Sequence, residues 1–242
     1  MKVKVLGASC TWYERNNTSY LIDDDIIFDV PSGSYKYIIK NCDLLKTKVI
    51  LISHFHADHF GDLHIIATRF MRELNLKPSE KLKIYGPTKI LERLIQFNKV
   101  IEAADDEINK AALTKNIEFI DLCDGMEFET EKYHIKAHLM NHGRAETYGF
   151  TFTDKNGKTV GFSADTSMCE NLHNILKKSN YAFVEMCRFT KGETHLSTNE
   201  VEKLIKKYNQ TQIYAVHTTD ETYEYAKMHE IKAVDDGEEF EF

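Results

Sequence analysis

Six consecutive residues, His54-Phe55-His56-Ala57-Asp58-His59, gather three imidazoles and a carboxylate. They follow Val49-Ile50-Leu51-Ile52-Ser53, a run apolar enough to be a buried strand. Neutral imidazole nitrogen and carboxylate oxygen are the usual donors to Zn²⁺ and related cations. On extended backbone, side chains two apart share a side, so His54 and His56 point the same way. Asp58 and His59 are then expected to turn toward a neighbouring position from the following loop. The segment thus offers donors for two cations rather than one. A lone histidine is most often a satisfied core or surface residue, but four polar groups packed this tightly at a strand end are costly to desolvate without a metal or several hydrogen bonds.

The elements that must position this cluster can be read from hydrophobic spacing. Short strands are predicted at Val3 to Leu6, Ser19 to Ile22 and Ile26 to Val30, a helix over Ser34 to Asn41, and a buried strand over Val49 to Ser53. Apolar residues recur at helical spacing from Leu63 to Leu74. A strand at Leu82 to Tyr85 runs into Gly86-Pro87 and a helix near Ile90 to Val100. Strands follow at Ile117 to Ile120, His134 to Met140, Tyr148 to Thr153 and Thr159 to Ser163. The remainder alternates: helix Leu172 to Lys178, strand Ala182 to Met186, helix Thr198 to Tyr208 capped by Ser197 or Thr198 with Glu200 in its first turn, strand Ile213 to Val216, helix Glu221 to His229 and an edge strand at the end. A meander followed by two rounds of strand–helix alternation implies an α/β fold with two sheets packed together and helices outside, the ligand loops lying at one end. No linker or low-complexity tract interrupts the 242 residues, so residues 1–242 read as a single domain.

Composition narrows the setting. The five cysteines (Cys10, Cys42, Cys123, Cys169, Cys187) are odd in number, scattered, and form no C-x-x-C pair, which argues against a disulfide framework and for a reducing cytoplasm. No apolar window approaches a membrane span, and the first residues read as a strand rather than a signal peptide. A net charge of −7 disfavours a long nucleic acid as partner, because phosphate neutralisation needs a basic footprint. An acidic protein can still act on a phosphodiester if bound cations supply the positive charge locally.

H-x-H-x-D-H after a hydrophobic strand resembles the signature of the metallo-β-lactamase superfamily, and later segments resemble its remaining motifs in order. Asn141-His142-Gly143 before Tyr148-Gly149-Phe150 is similar to the third metal-ligand motif of ribonuclease Z and its relatives. Phe162-Ser163-Ala164-Asp165-Thr166 resembles the G-D-T segment, with Ala164 where glycine is usual. Ala215-Val216-His217 resembles the strand-end histidine of the second site, and Asp235-Asp236-Gly237 the closing D-G hairpin. The resemblance implies a four-layer αββα sandwich in which His54, His56 and His142 hold one metal, Asp58, His59 and His217 the other, and Asp165 bridges the two. His138, on a strand whose alternation turns it outward, is the rival to His142. Zinc is the default from histidine-rich ligation, with Mn²⁺ or Fe²⁺ also acceptable. A homodimer is implied by the resemblance alone.

Further resemblance to ribonuclease Z lies in Glu185-Met186-Cys187 and Thr194-His195-Leu196-Ser197-Thr198, where His195 would be the general acid and Glu185 would orient it. The long tRNA-gripping arm of that enzyme is missing: only Asp154-Lys155-Asn156-Gly157-Lys158 separates Thr153 from Thr159. The implied activity is therefore a phosphodiesterase acting on a small phosphodiester such as a cyclic nucleotide, through a metal-bridging hydroxide that Asp58 also orients. The armless layout also resembles that of phage proteins that destroy cyclic-nucleotide immune signals. The rivals are an RNA endonuclease like ribonuclease Z, a lactone or thioester hydrolase, and a metal-stabilised nucleotide-binding protein without turnover. Ser32-Gly33-Ser34 is expected beside the substrate, while His64, His134, His173 and His229 read as structural.

Overall fold

The computed structural model describes residues 1–73, 81–102 and 106–242. One sheet is built from β1 (Lys2–Gly7), β2 (Ser19–Ile22), β3 (Ile26–Phe28), β4 (Val49–Leu51), β5 (Leu82–Gly86) and β6 (Ile117–Asp121). The other holds β7 (Glu127–Glu129), β8 (Tyr133–His142), β9 (Ala145–Asp154), β10 (Thr159–Phe162), β11 (Tyr181–Glu185) and β12 (Gln212–Val216). The last strand, β13 (Glu239–Glu241), returns to the edge of the first sheet beside β1. Both sheets are mixed, with β3 to β6 parallel in one and β10 to β12 parallel in the other.

The strands are apolar on both faces because both faces are covered. Between the sheets, Tyr20, Phe28 and Leu51 of the first meet Phe150, Phe152, Phe162 and Phe183 of the second. Phe28 meets Phe150 edge-on with ring centroids 5.2 Å apart, and Phe162 stacks on Phe183 at the same spacing. The outer face of the first sheet, Leu21, Ile27 and Ile50, packs with residues of α1 (Tyr35–Asn41), α3 (Leu63–Met71) and α4 (Ile90–Glu102). A four-residue turn, α2 (Ala57–Phe60), precedes α3, and α5 (Asp106–Asn116) packs beside α3 and α4. The outer face of the second sheet, Ala182, Val184 and Ile213, is covered by α6 (Glu170–Lys178), α7 (Thr198–Lys207) and α8 (Asp220–Met228). The layers are therefore helices, sheet, sheet, helices, the αββα sandwich expected.

Several elements differ from expectation. α2, α5 and β7 were not anticipated: α2 is a single turn, α5 is largely polar, and β7 is three residues long. The helix expected to reach Leu74 ends at Met71, and residue 74 lies outside the described residues. His138 does sit on the outer face of its sheet, but α6 packs against β8 there. Its ring is buried and hydrogen-bonds Thr151 Oγ1 at 3.1 Å, away from the other histidines. Ser197 caps α7 in a full capping box with Glu200. Among the described residues no helix is long and apolar enough to cross a membrane.

One polar contact ties the two sheets at the end away from the histidines. Tyr133, at the start of β8, donates its hydroxyl to Asp23 in the β2–β3 turn. Burial works against the Asp23 charge, but the Tyr133 hydroxyl, the Lys2 N–H and Lys132 outweigh it and hold the carboxyl below its ordinary range. A depressed carboxyl contributes stability above its unfolded-state pKa of about 3.9 and loses it as pH falls through the folded value. Tyr133→Phe is expected to lower unfolding free energy by about 1 kcal/mol at neutral pH. Urea titrations should show the gap to wild type closing in strong acid.

Candidate metal centre

Strand ends deliver the cluster. β4 stops at Leu51, and the chain runs through Ser53 and His54 into α2, whose first turn carries Asp58 and whose last carries His59. Asp58 and His59 thus sit in a helical turn rather than the loop expected. His142 ends β8 at its hairpin with β9, Asp165 follows β10 and His217 follows β12. Three of the strand ends turn sharply: Asp29 after β3 has φ +60°, Ala164 before Asp165 has φ +49°, and His217 has φ +50°. Left-handed backbone at residues with a Cβ costs on the order of 1 kcal/mol each, and such strain collects where geometry serves a site. Ala164 in that conformation accounts for glycine being usual there.

Two groups of donor atoms face each other across Asp165. In the first, His54 Nε2 lies 2.9 Å from His56 Nδ1, and His142 Nε2 lies 3.3 Å from the same atom. Asp165 Oδ2 is 3.8 Å from His54 Nε2 and 3.7 Å from His142 Nε2. In the second, His59 Nε2 is 3.8 Å from Asp58 Oδ2 and 3.4 Å from Asp165 Oδ1, with His217 Nε2 3.3 Å from Asp165 Oδ2. Apart from exposed His56 and half-buried Asp58, these side chains are buried.

The chemistry of the donor set fits divalent cations. His59 Nε2 and Asp165 Oδ1 are buried, face each other, and have no hydrogen-bond partner among the described residues. Such atoms are costly to leave bare, and a shared cation would satisfy both. Burial comes first in holding His54, His142 and His217 below the usual histidine range, which keeps their nitrogen lone pairs free for ligation. Burial opposes the Asp165 charge, yet the carboxyl lies well below the ordinary carboxylate range beside the His59 imidazole, whose own pKa Asp165 and Asp29 raise well above the usual value against burial.

Behind the donors lies a layer that the sequence did not disclose. His59 Nδ1 bonds Asp29 Oδ2 at 2.7 Å, His54 Nδ1 meets Ser53 Oγ at 3.0 Å, His217 Nδ1 meets Thr18 Oγ1 at 3.1 Å, and His142 Nδ1 donates to the Thr194 carbonyl at 2.8 Å. Each contact leaves the Nε2 lone pair pointing into the cluster. Thr11 donates its hydroxyl to Asp58 Oδ2. Asp29 is also fixed by the Ser53 N–H at 2.7 Å and hydroxyl at 2.8 Å. Its only sequence signal was a carboxylate at the end of an apolar strand. Ser32-Gly33-Ser34 does not line the cavity: Ser32 bonds the Ala57 carbonyl beneath α2.

The second expected pair is also assembled. His195 Nδ1 donates to Glu185 Oε1 at 2.9 Å, and the same carboxylate accepts the Thr166 N–H at 2.7 Å and the Cys187 N–H at 3.2 Å. Burial opposes charge on His195, but Glu185 pushes its pKa up to about 9. His195 opens with Asp58 and Asp165 onto a cavity of about 570 Å³. The remaining histidines lie elsewhere: His64 on the Gly61 carbonyl, His134 with Glu129, His173 with Tyr208, His229 stacked on Tyr225.

Two sheets, outer helices and a histidine–aspartate cradle at their shared strand ends define the metallo-β-lactamase fold, with donors placed to hold divalent cations. Solved structures agree on the fold. The chain superposes on YhfI of Bacillus subtilis with a TM-score of 0.77 and 17% identity, covering 99% of each chain. A diphosphatase of the PhnP family gives a TM-score of 0.78 at 18% identity, over 100% of this chain and 97% of the other. More narrowly, residues 3–240 match the family described as anti-Pycsar protein Apyc1, and the chain belongs to it. By sequence it is also 31% identical over 131 residues to a ribonuclease Z of Leuconostoc mesenteroides, which covers 53% of this chain and 38% of that protein. The chain spans less than half the length of several sequence relatives it matches.

Asp29→Asn keeps the size of the side chain but removes the charge that orients His59. It is expected to weaken divalent-cation affinity 10- to 100-fold. Chelator competition followed by elemental analysis measures this, and an unchanged affinity would mean that His59 is aimed without Asp29.

Proposed function

We propose that this chain hydrolyses a small phosphodiester, a cyclic nucleotide in particular. In this reading His54, His56 and His142 hold one divalent cation, Asp58, His59 and His217 hold a second, and Asp165 touches both. Zinc is the ion the nitrogen-rich set favours. Such a cation pair supplies an activated water and offsets charge that builds on the phosphoryl oxygens. The observation that carries the proposal is the shared position of buried Asp165 between two imidazole groups, with the His195–Glu185 pair alongside.

The chain's own residues account for the rest. Asp58, steadied by the Thr11 hydroxyl, orients the attacking water or takes its proton. Glu185 occupies His195 Nδ1, which leaves Nε2 as the atom that delivers a proton to the departing oxygen. Burial pushes the Glu185 carboxyl up to about 7 against the three N–H donors that favour its charge, and in its ionised form it keeps His195 charged and ready to donate.

Relatives named as a ribonuclease and a diphosphatase support phosphoester chemistry. Three features favour a small substrate over RNA. β9 and β10 are joined by a tight turn at Gly157, without an arm, and the net charge is −7. A cavity of about 570 Å³ is of small-molecule size.

His195→Ala is expected to retain its metal. It should lose about 10²- to 10⁴-fold in kcat on substrates with alkoxide leaving groups, and much less on bis-p-nitrophenyl phosphate, whose leaving group needs no proton. Equal losses on both would assign His195 to binding or support. Turnover of lactones or thioesters, and not of cyclic nucleotides, would replace the phosphodiester reading with its carboxyl-ester rival.

A further inference from the structure

The chain contains one tryptophan, Trp12, and its side chain is 95% exposed. It lines the same cavity as Asp58, Asp165 and His195. Single exposed apolar residues are ordinary on protein surfaces and by themselves say nothing. Trp12 differs in how it is held. Its φ is +76°, a left-handed conformation that a bulky residue adopts only where its surroundings impose it.

The imposing contacts lie on both sides. The preceding residue, Thr11, is bonded to Asp58. Cys10 N–H donates to the Thr218 carbonyl at 3.2 Å, and Ser9 N–H to the Asn16 carbonyl at 3.0 Å. On the far side, Arg15 donates to Thr218 Oγ1 at 3.0 Å and lies 4.1 Å from the Tyr223 ring centroid. Asp236 clamps the base of the loop through the Ala8 N–H at 3.0 Å and the Asn16 N–H at 2.7 Å. The loop is braced on both sides of Trp12, yet the large ring it carries is exposed. Phe189, the other exposed aromatic of the cavity, is packed edge-on against Tyr225 at 5.4 Å. Among the described residues no ring or cation contact covers the indole.

We propose that Trp12 is a stacking platform for the base of a nucleotide whose phosphodiester lies at the metal centre. This rests on the function proposed above and names the substrate's second half. The braced backbone sets where the indole is presented before the ligand arrives, which lowers the ordering cost of stacking on it. Every nucleobase has a π-face, so stacking on Trp12 accepts purines and pyrimidines alike and favours the larger ring. The site thereby distinguishes base-bearing phosphodiesters from those without a base.

Trp12 emission reports on the site because no other tryptophan contributes. With metal-loaded protein, 3′,5′-cyclic adenosine and uridine phosphorothioates are expected to shift or quench it. Trp12→Ala should raise KM for cyclic nucleotides roughly 5- to 100-fold with kcat little changed, and Trp12→Phe should recover most of the loss. The KM rise should be absent with ribose 3′,5′-cyclic phosphate that lacks a base. An unchanged KM in Trp12→Ala would overturn the proposal, as would an equal rise with the base-free compound, or emission that does not move when calorimetry shows the site filled. If no cyclic nucleotide is hydrolysed, the function proposed above fails on its own. The platform is then judged by emission with a dinucleotide such as ApA: quenching supports it, and no change overturns it.

Discussion

A carboxylate removed from water has to be compensated, and in this protein that carboxylate is Asp165. It is 2% exposed, and the groups nearest its oxygens are imidazole nitrogens of His54, His59, His142 and His217 at 3.3–3.8 Å. Leaving an isolated carboxylate in such a place costs many kcal/mol, so the charge is tolerable only because these histidines, and the cation they can share, surround it. The imidazoles are constrained in turn, since several positive rings this close repel one another. Most must remain neutral, which is the state in which they can ligate metal. The centre is therefore one electrostatic unit, and removing any member changes the others.

That unit dictates much of the fold around it. Its donors come from both sheets: the β4–α2 segment from one, and the ends of β8, β10 and β12 from the other. They meet only when the aromatic interior of Phe28, Phe150, Phe162 and Phe183 holds the sheets in register. Parallel pairing of β3 with β4, and of β10, β11 and β12 with one another, brings these strand ends to one level, where Asp29 reaches His59 and Glu185 reaches His195. Ligand sites gather at the carboxyl ends of parallel strands for this reason: the chain leaves the sheet there, and its side chains are free to converge.

Legibility in the sequence followed the range of the interaction. The cluster from His54 to His59 is local, and chemistry alone identified it as a set of metal donors. Most helices and strands were also local, because buried apolar faces leave a period in the sequence. His142, Asp165 and His217 lie about 80 to 160 residues from that cluster, and no spacing argument joins them. They became visible only through resemblance to a family. Asp29, Thr18 and Ser53 stayed hidden because their role is to orient another side chain, and one carboxylate or hydroxyl at a strand end has no local signature. His138 shows the complementary limit. Alternation correctly turned it to the outer face of its sheet, but only the tertiary structure shows that α6 covers that face.

The two walls of the cavity differ in rigidity of purpose. On one side, β11 leads through Glu185 and Cys187 to His195, and the capping box of Ser197 and Glu200 fixes where α7 begins, so the imidazole is held by backbone as well as by Glu185. On the other, the β1–β2 loop bonds Asp58 through Thr11 and immediately presents Trp12 to solvent. The first wall carries groups that can move protons; the second carries an apolar ring that cannot. The exposed face of that ring opens onto the same cavity as Asp165, whose buried Oδ1 has no hydrogen-bond partner among the described residues.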